Sequence, residues 1–594
     1  MIVPHIALKV FFVIFCSSFA CGEYWTYDCL KQEHKCKRIR LEDGITAVSL
    51  AVCRLFCDEN PGTLWPRVNG KIRLEQSLTT LNLTKIQFTV HSKSDKNDQF
   101  WRINEERLRK QISRKVPHSS SLTEGGNLLK ILVNVDNEDT KLGLDTNEHY
   151  QIRTSKEGNG DIVANITAET IFGARHAFET ISQLIVFDDI RGELQIVDDF
   201  EVDDKPAYPH RGFLLDTVRN YYPVEAIKRT IDSMAMVKLN VFHWHISDSQ
   251  SFPMMLKSHP EMSEIGAYSA EKVYTIENIK DIYEYAYTRG VLLLPEFDAP
   301  AHVGEGWQTK NATSCFDMDP WENFCTEPAC GQLDPTKDHM YDILEDIYRE
   351  MYDAFGKPDR FHMGGDEVHE ECWTVSNDIR NWIHEHGLEL NTSGLMELWG
   401  YFQQKALERL KRVTGNDIPA IVWSSTLTGK DYVEKHLNKQ KYIIQFWRQK
   451  NESAITDLLE KGYRLILSNY DNFYLDCGFG HWMREGNNWC SPYKDWKKVY
   501  SNDFRYFDAK YRSQFLGGEA ALWSEQVDHL SVDGRTWPRL SALAERLWTD
   551  PTTGWQQAIS RMLIHRERLV ENGIAAETLV PHWCLQHQGK CIMK

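Results

Sequence analysis

The sequence predicts an α/β protein in which a (β/α)8 TIM barrel follows a smaller α/β domain, and three observations carry that expectation. Beyond an acidic, proline-bounded stretch at 198–209, short apolar runs recur at 212–216, 239–245, 291–297, 360–364, 420–423, 442–446, 464–467 and 517–523. Each has the length of a strand. Helix-compatible stretches such as 226–236 and 340–355 lie between them, which is the alternation of a parallel barrel. The length of 594 residues suits a barrel with long insertions and a companion domain better than one compact unit. A doubly wound sheet is the competing architecture, but no Gly-rich dinucleotide loop follows the first run.

Taken in order, residues 1–22 read as a secretory signal. Lys9 supplies the positive end, 10–15 the apolar run, and Ala20-Cys21-Gly22 a small-residue cleavage site. No later stretch has the length and apolarity of a membrane span. The expected organisation is then an N-terminal non-catalytic domain over 23–207, Cys-rich at its start, and a barrel over 208–594. The first domain has strand-like segments at 85–90, 128–135 and 150–152, and a helix at 174–184 on the spacing of Ala177, Ile181 and Leu184. Acidic residues outnumber basic ones, 85 to 68, and no Lys/Arg run offers itself to a phosphate backbone, which argues against nucleic acid as a partner.

Cysteine usage agrees with export. Twelve cysteines remain after the signal, in local clusters: Cys29, Cys36, Cys53 and Cys57; Cys315, Cys325, Cys330 and Cys372; Cys477 with Cys490; Cys584 with Cys591. An oxidising compartment makes disulfides the expected state, with the pairing inside the larger clusters left open. Sequons at Asn82, Asn165, Asn311, Asn391 and Asn451 are candidate glycosylation sites. The expected location is extracellular, with the lysosome as the alternative.

A barrel carries its chemistry at the C-terminal ends of its strands. Those ends supply Asp216 and Arg219, Asp248, then Glu296, Asp298 and His302, then Asp366 and Glu367; later ones supply Trp423, Trp447, Tyr474 with Asp476, and Trp523 with Glu525. Sixteen of the 19 tryptophans lie beyond the linker. Indoles beside carboxylates suit a sugar, whose ring faces need flat apolar partners and whose hydroxyls need charged acceptors. The strongest single element is His362-Met363-Gly364-Gly365-Asp366-Glu367. Adjacent acids are poorly placed to face each other across a glycosidic bond as a retaining pair does, at roughly 5–5.5 Å. A division of labour fits better, one carboxyl donating a proton while its neighbour orients something else.

With Leu214-Leu215-Asp216-Thr217-Val218-Arg219-Asn220-Tyr221 and Phe242-His243-Trp244-His245-Ile246-Ser247-Asp248, that motif resembles the β-N-acetylhexosaminidases of glycoside hydrolase family 20, most closely the insect enzymes that trim chitin oligosaccharides. The resemblance runs from about residue 65 to the C-terminus. It implies a zincin-like first domain, no metal or organic cofactor, chitin oligosaccharides or terminal-GlcNAc glycans as partners, and compatibility with a homodimer. It also implies a substrate-assisted reaction, in which the 2-acetamido oxygen attacks the anomeric carbon. Under it, Glu367 is the acid and later the base, Asp366 orients the acetamido group, and Tyr474 donates to its carbonyl. Asp248 and His302 form a relay that orients and tunes Glu367. Trp423, Trp447 and Trp523 wall the acetamido pocket and the sugar face, and Arg219, Asp476 and Glu525 hold hydroxyls. Trp321, Glu327, Trp482 and Trp489 form a second sugar subsite, Trp489 stacking; ahead of Glu327 an apolar residue is expected and Thr326 stands there.

Three rival readings weigh against this. His243-x-His245 puts two imidazoles on one face of a strand and, with Asp298 and His302, sketches a metal site; core packing accounts for the pair equally well. A non-enzymatic lectin on the same barrel would usually have lost an acid, whereas Asp366, Glu367 and Tyr474 are all present. An N-glycan-processing enzyme of the same chemistry is the rival that sequence separates least.

Overall fold

A computed structural model describes residues 25–58, 60–91, 97–117, 125–138 and 141–591; the expected signal segment lies outside them. The described residues begin with a hairpin, β1 (Trp25–Leu30) and β2 (Lys35–Arg40), and the helix Leu50–Cys57. Disulfides Cys29–Cys57 and Cys36–Cys53 staple the helix to the hairpin. Leu55 of the helix is buried in the core of the unit that follows, while the hairpin, too small for a core of its own, is held by the covalent links.

Eight strands then form one mixed sheet: β3 (Lys71–Leu74), β4 (Leu78–His91), β5 (Asn127–Asn137), β6 (Tyr150–Lys156), β7 (Ile162–Thr170), β8 (Ile185–Asp188), β9 (Glu193–Val197) and β10 (Phe200–Asp204). Their order is β3-β10-β6-β7-β5-β4-β9-β8, parallel across β4, β5 and β7 and antiparallel elsewhere. Alternation explains the orientation of the sheet: Leu129, Ile131, Val133 and Val135 are buried while the residues between them are half-exposed. The helix Ile171–Gln183 is buried along its whole length, because it lies between this sheet and the barrel.

The barrel is closed and parallel, from β11 (His210–Asp216), β12 (Val241–His245) and β13 (Leu292–Glu296), through an inserted hairpin of β14 (Thr313–Ser314) and β15 (Gln332–Leu333), to β16 (Phe361–His362), β17 (Ala420–Trp423), β18 (Tyr442–Phe446), β19 (Arg464–Leu467) and β20 (Phe515–Leu522). Each of the eight apolar runs in the sequence overlaps one barrel strand, with β11 and β20 beginning two residues before their runs. The two units meet at the N-terminal ends of β11 and β12. There Arg211 binds Glu148 (2.6 and 2.8 Å), Lys238 binds Asp204 (3.1 Å), and the Trp548 indole donates to Asp204 (2.9 Å). All are buried, and such charges are tolerated only because each is paired. The first unit therefore closes the bottom of the barrel and leaves its C-terminal face open.

The other cysteines pair as Cys315–Cys372, Cys325–Cys330, Cys477–Cys490 and Cys584–Cys591. Asn165, Asn311, Asn391 and Asn451 are exposed and Asn82 is half-buried. Among the described residues no helix is long and apolar enough to cross a membrane.

Candidate active site

The C-terminal face of the barrel holds a cavity of about 250 Å³. After β16 the chain makes a sharp turn. Gly364 and Gly365 both take positive φ, and a Cβ on Gly364 would come within 1.8 Å of Asp298 Oδ1, so only glycine fits. The turn lets the Gly365 amide donate to Asp298 (2.8 Å). It also delivers Asp366 and Glu367 into the same cavity at different depths: the Asp366 side chain is 12 % exposed and that of Glu367 30 %. The two adjacent acids thus have unequal surroundings, as a division of labour requires.

Behind Glu367 stands a chain of contacts. His302 Nε2 lies 3.4 Å from Glu367 Oε2, and its Nδ1 lies 3.3 Å from Asp248 Oδ1. Burial opposes charge on His302, yet Asp248 and Asp298 raise its pKa well above the ordinary imidazole value. Burial likewise opposes ionisation of Asp248, but Arg219 and His302 hold its pKa far below the usual range. Burial pushes Asp366 up to about 6, with the Glu367 charge adding to it, and pushes Asp476 up to about 7. Glu525 and Tyr474 are raised well above their ordinary values, mainly by burial. Crowded acids of this kind are characteristic of sites that work on a substrate.

The aromatic residues fall in two layers. Trp447, Tyr474 and Trp523 face the cavity, Trp447 stacked on Tyr474 at 6.4 Å. Trp423, expected in the pocket wall, is fully buried and packs beneath them, 6.1 Å from Trp523. Trp482 and Trp489 stand at the mouth, 42 % and 59 % exposed, on a loop closed by Cys477–Cys490. Two expectations change. Trp321 does not line the cavity; with Met318 and Phe324 it packs against Cys315, Cys330 and Cys372, covering the disulfides of the insertion. Glu327 does reach it, but its carboxylate is bound to Arg219 (2.6 and 3.0 Å), since a cation already serving Asp248 (2.8 Å) still has an unused edge of its guanidinium.

Three strand-end acids given no part in the sugar chemistry from the sequence, Asp298 having figured only in the metal alternative, are also part of the site. Asp298 is buried against Asp366 and carries a strongly raised pKa through burial and that neighbour. Asp216 accepts from the amides of Val218 (2.8 Å) and Ser524 (3.0 Å), shaping the loop that carries Arg219. Glu296 lies below both, between His245 and Trp423. Their signal was their position at the C-terminal ends of strands. His243 and His245, the imidazole pair read as a metal alternative, face carboxylates: His243 lies between Glu519 (2.6 Å) and Glu296 (3.2 Å), and His245 between Glu296 (2.6 Å) and Asp248 (2.8 Å).

Residues 208–551 match the family model described as glycosyl hydrolase family 20, catalytic domain, and 64–184 match one described as beta-acetyl hexosaminidase like. The chain belongs to glycoside hydrolase family 20. It is 48% identical over 588 residues to a chitooligosaccharidolytic beta-N-acetylglucosaminidase of Bombyx mori, covering 98% of each chain. It is also 48% identical to the enzyme of the same description from Ostrinia furnacalis, covering 96% of this chain and 95% of that one. Among solved structures, a Flavobacterium johnsoniae chitobiase superposes with a TM-score of 0.69 at 26% identity, over 86% of this chain and 73% of that one. As a family 20 glycoside hydrolase, the protein is an enzyme with the barrel and small N-terminal domain expected of it.

Proposed function

We propose that this family 20 enzyme is an exo-acting β-N-acetylhexosaminidase that removes terminal, non-reducing β-linked N-acetylglucosamine from chitin oligosaccharides with retention of configuration. The observation that carries the mechanism is the unequal pair: accessible Glu367 backed by His302, and buried Asp366, both in one aromatic-lined cavity with Tyr474. Glu367 protonates the departing glycosidic oxygen while the substrate's own acetamido oxygen attacks the anomeric carbon. Asp366 stabilises the positive charge on the resulting oxazolinium ring, and the Tyr474 hydroxyl donates to the attacking oxygen. Glu367 then takes a proton from the water that opens the ring. An amide oxygen is an effective nucleophile only when held in line, and a fixed carboxylate supplies charge stabilisation without reorganisation.

Arg219, Asp476, Glu525, Trp447 and Trp523 hold the terminal sugar over Trp423, and Trp482, Trp489 and Glu327 meet the sugar beyond the scissile bond. Chitin oligomers are favoured as substrate by the names of the silkworm and Ostrinia relatives. The enzyme is exported by a signal over 1–22 and works outside the cell, a reading supported by its six disulfides. A 23–207 support domain and a 208–594 barrel divide the mature chain.

The test is a thiazoline mimic of the bicyclic intermediate, together with a glucoside bearing the same leaving group. The thiazoline inhibits with at least about 10²-fold greater affinity than substrate, and the glucoside is cleaved orders of magnitude more slowly. Comparable rates on the two sugars would overturn substrate assistance. A chitin oligomer hydrolysed more slowly than a terminal-GlcNAc N-glycan would reassign the substrate.

A further inference from the structure

Glu296, at the end of β13, is fully buried below the cavity, and the sugar-contacting residues proposed above do not include it. Its two oxygens serve opposite sides of the site. Oε1 accepts from the Trp423 indole Nε1 (2.7 Å), with His362 Nδ1 at 3.0 Å. Oε2 receives His245 Nδ1 (2.6 Å), with His243 Nε2 at 3.2 Å. On one side, Trp423 underlies Trp523 and Tyr474 in the aromatic layer. On the other, His245 Nε2 reaches Asp248 Oδ2 (2.8 Å), and Asp248 leads through His302 to Glu367.

We propose that Glu296 is a positioning residue for the reaction, a single carboxylate that ties the aromatic floor of the sugar pocket to the relay behind the proton donor. The inference rests on the family 20 chemistry proposed above. An imidazole whose two nitrogens both face carboxylates donates to both only as the cation. His245 stands between Glu296 and Asp248 in this way, with the Arg219 guanidinium also 3.3 Å from its Nε2, whereas His243 is held by Glu519 through Nδ1 (2.6 Å) and only faces Glu296 with Nε2 (3.2 Å). Removing the Glu296 charge leaves His245 one carboxylate, so the ring sheds a proton and gives up a donor. An amide in place of the carboxylate also puts an N–H where at least one donor now points. Either change loosens Trp423 and Asp248 together, although the two lie at the ends of different strands.

Glu296→Gln tests this against Trp423→Phe, which removes only the indole contact. In Glu296→Gln, kcat/KM falls about 10²-fold, as misplacements near 1 Å do, thiazoline affinity falls about 10-fold, and the alkaline limb of the kcat/KM profile moves. Trp423→Phe weakens the thiazoline and leaves the pH profile in place. A folded Glu296→Gln with only one of the two readouts altered, or neither, overturns the proposal, as does a lowered melting temperature with unchanged kinetics per folded molecule. A double-mutant cycle between Trp423→Phe and His245→Gln covers the case in which Glu296→Gln does not fold. If one carboxylate links them, their effects on kcat/KM are non-additive by about 3-fold or more; additive effects overturn the link. Wild-type enzyme that the thiazoline fails to inhibit would instead refute the substrate-assisted mechanism itself.

Discussion

Trp489→Ala probes the sugar beyond the scissile bond. Trp489 is 59 % exposed at the cavity mouth, its inner edge resting on Tyr470 (4.9 Å), Tyr474 (6.1 Å) and Trp447 (6.2 Å). The Cys477–Cys490 disulfide holds the loop that carries it. A large aromatic covers about 150–250 Å² when buried, which at this exposure leaves roughly 120 Å² free, of which a pyranose on one face would cover about half. At about 25 cal/mol per Å², the stacked face contributes about 1.5 kcal/mol, or roughly 12-fold in affinity. The assay compares steady-state kinetics on chitin dimer, trimer and tetramer with those on a small aryl glycoside whose leaving group fills the subsite poorly. KM for the oligomers rises about 10-fold with kcat nearly kept, as uniform binding loss requires, while the aryl glycoside changes by less than about 3-fold. Equal losses on all substrates with a lowered melting temperature would refute the reasoning, reduce Trp489 to a packing residue of its loop, and weaken the chitin assignment.

Three further outcomes follow from the site. Glu367→Gln costs about 10²–10⁴-fold on substrates with poor leaving groups and far less with an activated phenol, whereas Asp366→Asn slows both; the reverse pattern in a leaving-group series would mean that the two roles are exchanged. Because burial, with the Glu367 charge, holds Asp366 at about 6 and the reaction needs its ionised form, kcat/KM falls as pH drops through about 6, and Asp366→Asn, measured at its residual rate, lacks that limb. Asp476, raised by burial to about 7 from an ordinary 3.8, binds its proton more tightly folded than unfolded. Its stabilising contribution is therefore full below pH 3.8 and lost as pH rises through about 7. Asp476→Asn should raise the melting temperature at pH 8 and leave it little changed at pH 4; equal shifts at both pH values would exclude that linkage.

Much of this molecule is written in short-range pattern. All eight barrel strands overlap apolar runs of a few residues, because a strand buried on both faces needs nothing more than local hydrophobicity and a turn at each end. The acids and indoles of the site stand at or just past the ends of those runs, since barrel topology sends every strand end to the same face. Gly364-Gly365-Asp366-Glu367 announced its turn through the glycines alone. Even so, Asp216 and Glu296 stand at strand ends with nothing in the linear sequence to show what they hold.

What the linear order left undecided is partnership. Glu296 and Trp423 are neighbours only because β13 and β17 flank β16 in a closed barrel. Arg219 and Glu327 meet only because an insertion of β13 folds back over β11. The same holds for Trp321, which carries the composition of a sugar contact but is consumed by its disulfide loop, and for the pairing of the clustered cysteines. Residue type and spacing determine which groups arrive at the top of the barrel, because strand direction and alternation are properties of a few consecutive residues. Which carboxylate keeps its charge, which takes up a proton and which is spent on a neighbouring cation depends on burial and on distances of a few ångströms between residues far apart in the chain, and the tertiary structure alone decides those.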